Sequence, residues 1–163
     1  MSHTPRGRDP MDRPRVLLVD DDEDVRHMTR VALGFEGFDV SEAADGTAGV
    51  AAVRADPPDA VVLDVMMPGR DGIDVLRELR EDETLADLPI VLLTAKAGVN
   101  AEQEGWDAGA TAYLTKPFTG TALAATLRRL LDGGGGSGAR DNALARIDLA
   151  QRFNAAAENL SGT

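Results

Sequence analysis

Residues 15–33 read RVLLVDDDEDVRHMTRVAL. The opening RVLLVD is short and strongly apolar up to its final acid, the composition of a strand buried on both faces. Directly after it the spacing changes. Val25, Met28, Thr29, Ala32 and Leu33 recur three and four residues apart, the period of a helix with one buried side. A buried strand feeding an amphipathic helix is one βα unit, and the alternation repeats along the chain. FDVSEA (38–43), AVVLDV (60–65), IVLLTA (90–95) and TAYLTK (111–116) are four more strands of the same kind. Val50 and Val53, then Ile73, Val75, Leu76 and Leu79, then Leu123, Leu127, Leu130 and Leu131 mark helices between and after them. Five βα units predict an α/β fold, a doubly wound parallel sheet with helices on both faces. Right-handed crossovers of about 20 residues keep it compact.

The punctuation agrees. Gly37 stands where a helix C′ residue belongs, Pro57-Pro58 closes the second helix, and Pro89 precedes the fourth strand. The whole chain has 163 residues, no cysteine and a net charge of −11. Without Cys, disulfide frameworks, zinc-thiolate sites and thiol catalysis are excluded. No apolar run is long enough to cross a membrane, and MSHTPRGRDPMDRPR lacks the apolar core of a signal peptide, so a cytoplasmic location and no membrane partner are expected. The negative charge argues against direct nucleic-acid binding, which depends on neutralising phosphates. Its distribution is uneven: residues 1–15 hold four Arg and two Asp, residues 16–132 ten basic and 23 acidic groups, residues 133–163 three of each. These segments suggest a leader (1–14), a domain (15–132), the flexible linker GGGGSG (133–138) and a tail (139–163). In the tail Leu144, Ile147, Ala150, Phe153 or Asn154, Ala157 and Leu160 lie near one helical face, but the stripe is weak and Ala-rich, so a helical or partly disordered segment is expected.

Ligands of an open parallel sheet bind beyond the carboxyl ends of its strands, where the strand order reverses. The first strand ends in Asp20, Asp21 and Asp22, the third carries Asp64, the fourth ends in Thr94 and the fifth in Lys116. Gathered carboxylates repel: at ~5 Å and an effective dielectric of ~20 each pair costs about 3 kcal/mol. A hard cation with oxygen ligands such as Mg²⁺ relieves this. Glu23 and Asp24 need no such reason, because acids are favoured at a helix N-terminus. Asp20, Asp22 and Asp24 also have the 1, 3, 5 spacing of a calcium loop, but positions 6 and 12 are Val25 and Val31 instead of Gly and Glu. The basic residues are 15 Arg and two Lys, and one of those Lys, Lys116, stands at a strand end before Pro117. A compact ammonium suits a tight contact with carboxylate and phosphoryl oxygens better than a guanidinium fork does.

VLLVDDDEDVR (16–26), VVLDVMMPGRDG (61–72), VLLTA (91–95) and YLTKPF (113–118), in this order, closely resemble the receiver domain of bacterial two-component response regulators, of the single-domain type. The resemblance covers roughly residues 15–132. It implies a flavodoxin-like (βα)5 sandwich with strand order 2-1-3-4-5. It also implies that Asp64 is the phosphoacceptor, that Mg²⁺ or Mn²⁺ is held by Asp21, Asp64 and the Met66 backbone carbonyl, with Asp20 acting through water, and that Thr94 and Lys116 contact the phosphoryl group. Tyr113 would be an aromatic switch that turns inward when Thr94 is drawn to the phosphate; a strand tyrosine with a solvated hydroxyl is the plain alternative. The Lys116–Pro117 bond would be cis. Trp106 reads as helix packing or a surface reporter. The phosphoryl donor would be a sensor histidine kinase or a histidine phosphotransfer protein. Output would pass to a downstream protein through the face of the fourth helix, fifth strand and fifth helix, with a homodimer formed on phosphorylation as one outcome. Met66, two after the acceptor, cannot orient an attacking water, and Lys96 adds a cation near the site mouth, so phosphoryl loss over minutes or longer is expected.

Two other classes fit parts of the pattern. Haloacid-dehalogenase-like phosphatases place a nucleophilic Asp after the first strand, as Asp20 and Asp22 would be, but they want an acidic metal pair after the lysine, and no acid follows Lys116 before Asp132. A receiver-like scaffold that works without phosphorylation would have no need of all five site residues.

Overall fold

The structure, a computed structural model, describes residues 13–95 and 99–132. Residues 1–12 of the leader, Lys96, the linker 133–138 and the tail 139–163 lie outside the described residues. The expected alternation is present: β1 (Arg15–Val19), α1 (Glu23–Phe35), β2 (Asp39–Ala43), α2 (Gly46–Ala55), β3 (Ala60–Asp64), α3 (Gly72–Glu81), β4 (Ile90–Thr94), α4 (Val99–Ala108), β5 (Ala112–Thr115) and α5 (Gly120–Asp132). A short 3-10 turn, Glu83–Leu85, intervenes before β4 and has no counterpart in the sequence pattern. The strands form one parallel sheet in the order β2-β1-β3-β4-β5. This is the flavodoxin-like arrangement, whose order reverses between β1 and β3.

Alternate residues of each strand feed two cores. Val16, Leu18, Val62, Val91, Leu93 and Leu114 pack with Leu33 of α1 and with Leu123 and Leu127 of α5; Thr29 and Leu33 are the buried residues of α1, whereas Met28, expected on its buried side, is 71% exposed. Leu17, Val19, Val61, Leu63, Leu92 and Tyr113 pack on the other face with Val50 and Val53 of α2 and with Ile73, Leu76 and Leu79 of α3. Both faces of β3 and β4 are buried along their whole length, which is why those strands read as continuous apolar runs. Acidic side chains cap the first three helices: Asp22, Asp45 and Asp71 accept from backbone N–H groups of α1, α2 and α3. α1 closes at Gly37, whose φ of 95° lets the Phe38 N–H reach back to the Leu33 carbonyl at 3.1 Å.

Candidate phosphoacceptor site

Register brings the chemistry to one edge. Val19 of β1 lies beside Leu63 of β3, so Asp20, the next residue, stands at the level of Asp64. Asp64 pairs with Leu93, which sets Thr94 one step further along, and Thr94 pairs with Thr115, the residue before Lys116. Asp20 and Lys116 thus sit just past their strands, while Asp64 and Thr94 are their strands' last residues. Carboxylate oxygens of Asp20, Asp21 and Asp64 all lie within 4.8 Å of one another. Lys116 Nζ is 3.4 Å from Asp64 Oδ2 and 3.9 Å from Asp20 Oδ2. Asp20, Asp64 and Thr94 are buried, and Asp21 is exposed at the mouth.

The loops hold these groups in place. The Asp22 N–H donates to Asp20 Oδ1 at 2.9 Å, and the Met66 N–H donates to Asp64 Oδ1 at 3.2 Å. The Lys116 N–H donates to the Thr94 carbonyl, and the Lys116–Pro117 bond is cis. Two contributors carried no role in the sequence reading. Arg26, on the first turns of α1, donates from Nη1 to the Asp20 carbonyl at 2.8 Å and pairs through Nε with Glu42 of β2, fixing the backbone that carries the acid pair. Gly72 opens α3 against β3: a Cβ there would stand 2.3 Å from the Asp64 carbonyl oxygen. The Gly72 N–H donates to the Val65 carbonyl at 2.9 Å. The sequence hints were a basic residue one turn into the helix and a glycine at its first position.

Tyr113 is turned inward. Its ring is buried against α4, 6.3 Å between centroids from the half-buried Trp106, which makes Trp106 a helix-packing residue. Met66, by contrast, has an exposed side chain.

The electrostatics favour a cation. Burial, with the charge of Asp20 beside it, pushes the Asp64 carboxyl from an ordinary 3.8 up to about 6, against the opposing pull of Lys116 and the Met66 N–H. Asp20 Oδ2 is buried and accepts no hydrogen bond from the described residues. One ammonium facing three carboxylates leaves an excess of negative charge, and the donors are all hard oxygens, so the residues fit a divalent ion of the Mg²⁺ class.

The raised pKa has a stability consequence whose sign is set by linkage. A carboxyl that holds its proton more tightly folded than unfolded destabilises the fold as pH climbs from about 4 through 6, with the full effect above that. Two pH units correspond to roughly 3 kcal/mol. Asp64→Asn is therefore expected to stabilise the metal-free protein by about 1–3 kcal/mol at pH 7.5 and to change little at pH 4. Urea unfolding with chelator at both values checks this; an equal effect at both would contradict it.

A parallel sandwich that brings two acids, a buried Asp, a hydroxyl and a lysine to its carboxyl edge has the architecture of a signal receiver. The chain belongs to the response regulator receiver domain family, whose profile matches residues 16–128. Among its relatives are the response regulator MprA of Mycolicibacterium vanbaalenii, 48% identical over 77% of this chain and 56% of that protein, and MprA of Mycobacterium leprae, 50% identical over 72% and 50%. The chain spans about half the length of the curated relatives it matches. A solved neighbour, the chemotaxis protein CheY4 of Vibrio cholerae, superposes with a TM-score of 0.70 at 34% identity over 74% of this chain and 100% of that one. Among the described residues, no helix is long and apolar enough to cross a membrane.

Proposed function

We propose that this chain accepts a phosphoryl group on Asp64 from the phosphohistidine of a sensor histidine kinase or histidine phosphotransfer protein, and relays the signal by protein contacts from the cytoplasm. The supporting observation is the buried Asp64 carboxylate, gathered with those of Asp20 and Asp21 and faced by Lys116 at 3.4 Å. An Asp64 oxygen attacks phosphorus, the P–N bond to the imidazole breaks, and the departing nitrogen takes a proton from solvent. A carboxylate is a weak nucleophile, so positioning and charge neutralisation do most of the catalysis. The Met66 N–H aims Asp64, Lys116 moves from carboxylate to phosphoryl oxygen, and Thr94 donates its hydroxyl to another phosphoryl oxygen. Asp20, Asp21, Asp64 and the Met66 carbonyl would hold Mg²⁺ or Mn²⁺, which when bound neutralises phosphoryl oxygens. Beyond this self-modification no turnover of other substrates is assigned.

The phosphoryl charge then biases a two-state equilibrium through contacts made in one state only. Tyr113, buried on the strand that leads to Lys116, is the switch residue of this reading. Residues 15–132 form the unit that acts, and its output face is α4, β5 and α5, toward a protein target or a second copy.

Incubation with acetyl phosphate tests the reading. One phosphoryl group per chain is expected with Mg²⁺ and none with excess chelator; steady phosphate release from varied phosphoesters would point to a phosphatase instead. After donor removal the label is expected to decay over minutes or longer, because Met66 offers no polar group to a water. Decay within seconds would contradict that assignment.

A further inference from the structure

Asp20 is held from three sides. Its N–H donates to the Ala43 carbonyl of β2 at 3.2 Å, its carbonyl accepts from Arg26 Nη1 at 2.8 Å, and its Oδ1 accepts from the Asp22 N–H at 2.9 Å. The carbonyl bond sets the plane of the peptide that joins Asp20 to Asp21, and with it the directions in which the two side chains leave the backbone. Asp20 is buried, so packing also places it. Asp21 is exposed and depends on that backbone to keep its carboxylate beside those of Asp20 and Asp64.

Arg26 is committed to this task. Only 14% of its side chain is exposed, and its Nε pairs at 3.1 Å with Glu42 Oε1. Glu42 takes Arg30 Nη1 on its other oxygen at 2.8 Å, so its carboxylate is fixed between two guanidinium groups. A guanidinium serves a carbonyl with one nitrogen and a carboxylate with another from one rigid plane, which a lysine ammonium does not reproduce. The last two residues of β2 thus both act on Asp20, Ala43 directly and Glu42 through Arg26, although this edge strand supplies no carboxylate to the cluster.

Resting on the metal-dependent reading above, we infer that Arg26 and Glu42 are positioning residues for the cation: by fixing the Asp20–Asp21 peptide they set how tightly Asp20, Asp21 and Asp64 hold a divalent ion. For Arg26, charge alone argues the opposite. A guanidinium beside a cation site repels the ion, so its removal would tighten binding if only the field mattered. The ion pair with Glu42 offsets that repulsion, and what is left is orientation. The sign of the effect therefore separates positioning from simple electrostatics.

Mn²⁺ titration of the full chain, with the free ion read by electron paramagnetic resonance, measures affinity without turnover. Arg26→Ala is expected to weaken binding about tenfold, the lower end of what loss of a group supporting a metal ligand costs. Glu42→Gln, which removes the charge that anchors Arg26, is expected to weaken it by less and to add nothing in an Arg26→Ala background, because the two act through one path. Arg26→Lys is expected to recover only part of the affinity. Circular dichroism verifies each fold, and Arg26→Lys and Glu42→Gln carry the test if the alanine variant unfolds. Phosphorylation of Arg26→Ala by acetyl phosphate is expected to need correspondingly more Mg²⁺ and to approach the wild-type rate once Mg²⁺ saturates. Unchanged or tighter Mn²⁺ binding in Arg26→Ala, or additive effects of the two substitutions, would overturn the inference and leave the phosphoacceptor reading standing. Wild-type protein that binds no Mn²⁺, or binds it no better than Asp21→Asn, would overturn both.

Discussion

Lys116→Ala is expected to slow phosphorylation by acetyl phosphate about 10²–10³-fold at saturating Mg²⁺, the loss typical of removing one preorganised charge from a developing oxyanion. The reason is geometric. Lys116 Nζ lies 3.4 Å from Asp64 Oδ2 and 3.9 Å from Asp20 Oδ2. It is held there because its own N–H is bonded to the Thr94 carbonyl at the end of the neighbouring strand. Its charge also lowers the Asp64 pKa against burial, so the alanine variant should titrate above about 6 and hold less nucleophile at neutral pH. Lys116→Arg is expected to restore the charge but little of the rate, because a planar fork does not fit where a point charge stood. Initial rates of phosphoryl incorporation measure both; an alanine variant within threefold of wild type would remove Lys116 from the mechanism.

Gly72→Ala is the largest stability change expected from a single methyl group. The added Cβ would stand 2.3 Å from the Asp64 carbonyl oxygen and 2.9 Å from both the Asp64 carbonyl carbon and the Val65 Cα. All three are backbone atoms at the end of a central strand, so no rotamer change relieves the overlap, and the start of α3 must lift from β3. Overpacking of this kind costs about 3 kcal/mol or more, or about 10 °C in Tm for a domain of this size. The same shift would displace Asp64, so phosphorylation should fall along with stability. Thermal and urea unfolding check the first part. A Tm within 2–3 °C of wild type would show that the helix start is looser than its packing implies.

The two residues differ in how far the sequence disclosed them. Lys116 was legible because strand ends follow from apolar runs, and a lysine after YLT in an Arg-rich chain stands out. Asp20, Asp64 and Thr94 were legible for the same reason: strands buried on both faces have sharp polar ends, and parallel topology sends those ends to one edge. Gly72 was not, because PGRDG reads as turn chemistry, whereas its role is close contact with the Asp64–Val65 backbone at the end of β3, which only the folded loop brings against it. Arg26 was likewise hidden, since a basic residue on a helix is ordinarily solvated and its acceptors, the Asp20 carbonyl and Glu42, meet only after β1 and β2 pair. The inward turn of Tyr113 could have been found: it lies beside Leu92 in register and so shares the face of the α2–α3–α4 core, while Leu114 takes the other. The fourth helix was the least visible, since VNAEQEGWDA has few apolar groups to set a period.

The most direct test of Asp64 as the phosphoacceptor is to phosphorylate the full chain with acetyl phosphate and Mg²⁺, reduce the acyl phosphate with borohydride, and map the modified residue by peptide mass spectrometry. Reduction is expected at residue 64 alone, converting it to homoserine, with no modification in Asp64→Asn. Reduction at Asp20 or Asp21 in the wild type, or undiminished labelling of Asp64→Asn, would contradict the assignment.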